Sequence, residues 1–258
     1  AVPGGRASGA PREGRSAHTY GAASTAPSHW ILPVGSAPRL QDMTAHLDVA
    51  TVDLLGVLAY GELTAFERLA SDAQLAPSVA DKVALATMAA AEFGHFKQLR
   101  DHLNDAGVDA ESAMLPFIAT FDAFHDSTTP SDWLEGLIKA YVGDGLATDF
   151  YREVSAYITD ADTRALVLEV LSDAGQASFV VARVNEAIAA EPSVAGRLAL
   201  WARRLVGEAL IQAQQVAVER DALLGLLVGS GDLAGITRLL TKLTDSHTER
   251  MATLGLSS

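Results

Sequence analysis

Cysteine is absent from all 258 residues, which removes disulfides, thiol nucleophiles, Cys-ligated zinc and iron–sulfur clusters together and leaves a reducing compartment open. Aromatic residues are also scarce, 6% against 49% hydrophobic and 20% charged. That composition belongs to a soluble globular chain with few aromatic anchors, and it excludes disorder for most of the length. Charge-free apolar runs such as 83–91 and 222–231 stop well short of the roughly 20 residues a membrane helix needs. No membrane association is therefore expected. A signal peptide needs an early apolar run of about 7 to 15 residues. The first 40 residues offer only Trp30-Ile31-Leu32, so no export is expected and the location is read as cytoplasmic.

Basic residues are the other shortage. The formal charge is −13, and it is unevenly spread. Residues 1–40 carry Arg6, Arg12, Arg15 and Arg39 against Glu13, a tail of +3, which leaves −16 on the rest. Phosphate backbones are held by Lys and Arg, so a body of this sign disfavours nucleic acid except through a local patch. Anionic membrane surfaces are disfavoured for the same reason.

The chain divides by texture. Residues 1–42 are rich in Gly, Ala, Ser and Pro without helical or strand period and are expected to be disordered. Residues 43–258 are expected to form one helical domain. Apolar residues there recur at helical spacing, predicting six helices over 44–74, 78–106, 131–159, 162–190, 193–228 and 232–254, with no convincing strand. Ala76-Pro77-Ser78, Thr129-Pro130-Ser131-Asp132 and Glu191-Pro192-Ser193 punctuate them with breakers and N-caps. The link 107–130 is too long for a turn and reads as the crossover of a bundle.

The chemistry-bearing residues interrupt the apolar stripes of the first four helices. Helix one presents Leu55, Leu58, Glu62, Ala65, Phe66 and Leu69 on one face, and helix two presents Leu85, Met88, Glu92, His95, Phe96 and Leu99. Glu92 and His95, at i and i+3, leave the helix in neighbouring directions and can reach one metal ion. His102 continues that stripe, as a supporting group or as core edge. Helix three carries Leu137, Ala140, Asp144, Ala147 and Tyr151, and helix four carries Leu166, Val170, Asp173, Gln176 and Val180. Glu62 and Glu92 lie 30 positions apart, Asp144 and Asp173 29. The two helical hairpins thus carry equivalent polar positions, and an antiparallel four-helix bundle brings all six side chains to one interior level.

An E-x-x-H spacing alone arises often by chance, but ionised carboxylates on apolar stripes are costly without a compensating cation or proton. Three compensations stay open: a metal ion, Arg183 turned inward from helix four, or carboxylates kept protonated as like charges sharing one site are.

The segments AYGELTAFERLA around Glu62, MAAAEFGHFKQL around Glu92 and His95, KAYVGDGLATDFYREV around Asp144 and LSDAGQASFVVARV around Asp173 resemble the ferritin-like superfamily of carboxylate-bridged di-iron proteins. More closely, they resemble the family of tRNA hydroxylases acting on 2-methylthio-isopentenyladenosine. The resemblance spans about residues 45–255 and implies an all-α, ferritin-like antiparallel four-helix bundle with two additional C-terminal helices. It implies metal ligands at Glu62, Glu92, His95, Asp144, Asp173 and Gln176, one or two iron ions, and activation of dioxygen for insertion of one oxygen atom into a C–H bond with electrons from a partner donor. Glu62, Glu92 and His95 match that pattern residue by residue. The second half departs from it, with Asp144 and Asp173 where Glu is expected and Gln176 in place of a second histidine, and an amide is a poorer ligand than imidazole. Gly143 and Gly145 flank Asp144, which points to close backbone approach, helix distortion or tight packing.

A tRNA substrate would need Arg197, Arg203 and Arg204 to form a basic patch beside Trp201, and is disfavoured. Glu208, Gln212 and Gln215 show no catalytic spacing, and His247 is expected to be exposed. Tyr141 and Tyr151 are read as packing groups or as lining near Asp144. An oligomer is compatible with the sequence. The alternative function is a ferritin-like scaffold or interaction protein with a degenerate metal site and no catalysis.

Overall fold

The computed structural model describes residues 47–172, 176–228 and 233–257, without the side chains of 224, 227–228 and 233–236. The expected tail 1–42, its boundary with the helical domain, and Asp173 lie outside the described residues. In chain order the helices are α1 (Val49–Asp72), α2 (Val79–Asp105), α3 (Ala110–Met114), α4 (Ile118–Ser127), α5 (Trp133–Ser155), α6 (Ala161–Val170), α7 (Gln176–Ala190), α8 (Val194–Glu219), α9 (Asp221–Val228) and α10 (Leu233–Thr253), with 3-10 turns at Ala73–Leu75 and Leu115–Phe117. No strand occurs among the described residues.

Short polar side chains open the main helices by accepting the unpaired N–H groups of the first turn. Asp48 accepts from Thr51 N–H at 2.7 Å, Ser78 from Asp81 N–H at 3.1 Å, Asp132 from Glu135 N–H at 2.9 Å and Asp160 from Thr163 N–H at 2.7 Å. At α5 the cap is reciprocal, because Glu135 accepts from Ser131 N–H at 2.8 Å, a capping box displaced by one residue. The anticipated cap at Ser193 makes no side-chain bond to the helix.

Two apolar clusters build the core. One holds Leu54, Leu55 and Leu58 of α1, Phe96, Leu99 and Leu103 of α2, Phe117, Val154 of α5, and Val167 and Val170 of α6. The other holds Leu69, then Leu85 and Met88 of α2, Leu137, Ile138 and Val142 of α5, Val180 and Val184 of α7, and Leu198, Trp201 and Leu205 of α8. α1 therefore runs from the first cluster to the second, α2 and α5 run from the second to the first, and α6–α7 return. Because α2 ends at one end of the bundle and α5 begins at the other, the connection between them must travel its length. This is the crossover expected for 107–130, and it is built rather than irregular: α3 packs in the first cluster, and Phe124 of α4 packs on the second. Gly56 of α1 lets α3 approach, since a Cβ there would stand 2.2 Å from the Ala113 carbonyl oxygen.

The architecture is the all-α helical bundle that was expected, with three differences. The fourth expected helix is two, α6 ending at Val170 with Leu171 as its C-cap and Ser172 outside helical geometry, and α7 starting at Gln176. The fifth breaks at Arg220, where the backbone leaves helical geometry and the guanidinium pairs with buried Asp53 of α1, its Nε 3.0 Å from Oδ2. The first begins at Val49 rather than 44. Val49–Leu75 is the one segment among the described residues long and apolar enough to cross a bilayer, yet half of its most apolar stretch is buried inside the fold. Scanning for charge-free runs passes over it because Asp53 and Glu62 interrupt it.

Candidate metal centre

Every helix of the bundle changes cluster at one level. On α1 the change falls between Leu63 and Phe66, on α2 between Ala89 and Phe96, on α5 between Leu146 and Phe150, and across α6–α7 between Leu171 and Phe179. Glu62 adjoins the first of these intervals, Glu92 and His95 lie in the second and Gln176 in the last. The i, i+3, i+4 stripes of α1 and α2 put Glu62, Glu92 and His95 into this seam between two apolar masses.

The structure brings these three together. One ligand atom from each lies within 4.8 Å of the other two. His95 Nδ1 stands 3.4 Å from Glu62 Oε2 and 3.4 Å from Glu92 Oε2. Both contacts have ion-pair separation without hydrogen-bond geometry, so Glu62 Oε2 and His95 Nδ1 are buried without a hydrogen-bond partner. Glu92 is 7% exposed.

Electrostatics tie the three into one unit. The contacts with Glu62, and then Glu92, outweigh burial and push His95 up to about 10. Burial pushes Glu62 up to about 8 against the pull of His95. Glu92 goes the other way: burial raises it, but His95, Glu62 and a hydrogen bond from the Gln176 amide together hold it below the usual carboxylate range. This is the behaviour of two acids that share a proton beside an imidazolium. Tyr151 of α5 faces the same level, and burial, then the charge of Glu62, push its phenol well above its ordinary value.

The other expected ligands are placed differently. Asp144 is exposed on α5 and does not join the group. Gln176, the first residue of α7, is partly buried and reaches Glu92. Gly145 serves packing, for a Cβ there would stand 2.7 Å from Arg250 Cδ and Nε, and Arg250 of α10 lies across it to bond Asp149 at 2.5 Å. Gly143 has nothing within 4 Å of where a Cβ would be.

Arg183 does not neutralise the acids. It turns to the α2 N-terminus, 2.8 Å from Asp81 and 2.6 Å from Glu186. His102 bonds Thr163 of α6 at 2.8 Å and so ties α2 to α6. His247 is buried, not exposed, because Leu243, His247 and Met251 form the one-turn stripe by which α10 packs inward. The basic residues of α8 are engaged within the chain. Arg197 pairs with Asp132 at 2.8 Å and Glu135 at 2.5 Å, Arg203 bonds the Ser257 carbonyl at 3.1 Å, and Arg204 bonds the Ser127 carbonyl at 2.6 Å. Trp201 is core, its indole N–H on the Glu135 carbonyl at 2.9 Å.

Sequence reading passed over a second buried polar pocket between α1, α4 and α5. His125 and Lys139 are 8% and 6% exposed. Neither ring nitrogen of His125 has a hydrogen-bond partner, and Lys139 Nζ bonds the Thr128 carbonyl at 2.8 Å. Burial, then Lys139 and Arg68, push His125 down to about 3. Burial, then Arg68, push Lys139 down to about 8 against the pull of Asp72. The one signal was Lys139 directly after the core residues Leu137 and Ile138.

The sequence model of a family described as ferritin-like domain, actinomycetes, matches residues 45–230. No curated protein matches the chain.

Proposed function

The chain belongs to the ferritin-like domain family of actinomycetes, and from that premise we propose that it is a cytoplasmic non-haem iron protein of the oxygen-dependent, hydroxylase-like kind, related to the tRNA hydroxylases. The observation that carries this reading is the convergence of Glu62, Glu92 and His95, with ligand atoms within 4.8 Å, in the seam between two apolar clusters. Carboxylate oxygens with an imidazole nitrogen are a donor set suited to ferrous iron. Glu62 Oε2 and His95 Nδ1, both buried without a hydrogen-bond partner, fit it, since a cation would satisfy both.

Glu62, Glu92 and His95 would hold the ion. Bound there, iron would supply reduction of dioxygen and transfer of one oxygen atom to a C–H bond, with electrons from a separate donor. The chain's own contributions are of other kinds. His95 and Glu62 must give up their protons to become donors, so binding is linked to proton release. The apolar clusters on either side limit water at the centre. Tyr151 stays a neutral phenol beside Glu62. The substrate is proposed to be something other than nucleic acid, on the strength of the −16 body and of arginines on α8 engaged within the fold. The test is oxygen consumption dependent on ferrous iron and abolished by Glu92→Ala. If wild type and variant are equally silent, the oxygenase reading fails.

One observation favours a second reading, a metal-free scaffold. The three side chains already form a closed, proton-neutralised unit through His95. A scaffold keeps its melting temperature when metal is chelated away, and a large loss on chelation rules it out.

A further inference from the structure

We infer that the outward face of α2 is the surface through which two copies of this chain associate, as an antiparallel pair of α2 helices about a two-fold axis. The inference stands apart from the metal-binding reading, which uses the buried face of the same helix.

Spacing is the first ground. Val79, Val83, Ala86, Ala90, Phe93 and Lys97 are all exposed, Val79 at 79% and Val83 at 59%, and they follow one another by steps of four, three, four, three and four. That is the 3.5-residue period of a seam between two helices. The core uses a different stripe of α2, through Leu85, Met88, Phe96 and Leu99. Single exposed apolar side chains are ordinary, but a regular line of them about 27 Å long, at 1.5 Å per residue, is a helix face without its partner.

The order of the residues selects a second copy. The steps read the same from either end, so an antiparallel copy sets Val79 beside Lys97, Val83 beside Phe93 and Ala86 beside Ala90, each pair occurring twice as an isologous interface requires. Alanines in the middle let the two backbones approach, and the larger side chains close the seam on either side. Phe93 is already held for that role. Its ring centre lies 5.1 Å from that of Phe66 and 5.6 Å from that of Phe96, with Lys97 Nζ 5.6 Å above it, so little side-chain freedom is left to lose on association. A parallel copy would oppose every residue to itself, Lys97 to Lys97 included.

Charge is the second ground. A body of −16 repels its own copy wherever acids face acids. From Val79 to Gln98 the exposed charges are Lys82 and Lys97, whereas the acids of that stretch, Asp81 and Glu92, are buried, Asp81 with Arg183 at 2.8 Å. The face therefore offers apolar and weakly positive surface to an acidic partner, and a second copy is one.

The test is sedimentation equilibrium of the full chain over about 1–200 μM, in which a dimer is expected. Val83→Glu and Ala90→Glu, both at exposed positions, should each weaken association about 30-fold or more with an unchanged circular dichroism spectrum. Leu200→Glu, on the exposed side of α8, should leave association unchanged. Because the chain has no cysteine, oxidation can read the register: Val83→Cys and Phe93→Cys chains should cross-link when mixed and not when either is alone. A monomer throughout the range overturns the inference, as does a dimer that survives both Glu variants on α2 or dissociates in Leu200→Glu. Cross-links within each Cys variant alone overturn the antiparallel register.

Discussion

His95 and His125 both sit largely out of water on helices that pack against α1, and they hold their protons in opposite ways. His95 is pushed up to about 10 and His125 down to about 3. His125 is the more deeply buried of the two. Around His95 the neighbours are Glu62 and Glu92, whose negative charges outweigh burial, whereas around His125 they are Lys139 and Arg68, whose positive charges add to it. The comparison shows that burial favours the neutral imidazole at both positions and that adjacent carboxylates reverse it at His95 alone. It also shows why only one pocket suits a cation: the first already concentrates negative charge around a proton that metal can replace, and the second is lined by cationic groups.

The largest effect should come from emptying the first pocket. Glu92→Ala with His95→Ala is expected to abolish iron binding outright, read as metal content after anaerobic loading, with helicity retained. Replacing each histidine by leucine then tests the contrast directly in urea melts at pH 7. His95→Leu leaves Glu62 and Glu92 facing each other without their shared partner and should destabilise the metal-free protein by about 1–3 kcal/mol. His125→Leu removes two ring nitrogens that have no hydrogen-bond partner and should be neutral or stabilising by up to about 1 kcal/mol. Equal losses in the two variants would break the comparison.

The pH profile sharpens it. For His125 the folded value lies below the ordinary 6.5, so the unfolded chain takes up the proton first, and stability should fall as pH drops from about 6.5 towards about 3. For His95 the folded value lies above 6.5, so its contribution is full below that pH and is lost as pH rises through about 10. Chemical denaturation across pH should show the acid limb flattened in His125→Leu and the alkaline limb flattened in His95→Leu. The smallest effect is expected at Lys139→Met, which loses the bond to the Thr128 carbonyl but also relieves the burial of an ammonium. The two terms offset to within about 1 kcal/mol at pH 7.

Much of the first hairpin was legible in the sequence. The stripes of α1 and α2 carried Glu62, Glu92 and His95 to the core because a 3.6-residue period leaves little freedom about which face of a helix is buried. In the second hairpin the surroundings of α5 come from elsewhere in the chain. Asp144 falls on the same arithmetic, but α5 also packs against α8 and α10, and Arg250 occupies the ground over Gly145. The break after α6 falls at Leu171 and Ser172, inside a helical period that continues on both sides in the sequence. His247 and the His125–Lys139 pocket were not legible, since each is buried by helices far away in the chain.

What the sequence by itself determined is the helical character of the chain, the long crossover and the level at which polar side chains interrupt the apolar stripes. These depend on local propensity and periodicity, which neighbours in the chain decide. Only the tertiary structure decided that Glu62, Glu92 and His95 converge, that Asp144 is exposed, that Gln176 bonds Glu92, and that His95 and His125 differ in charge. Those outcomes depend on distances between helices and on the desolvation and Coulomb energies that act across them. Neither exists until the helices are packed.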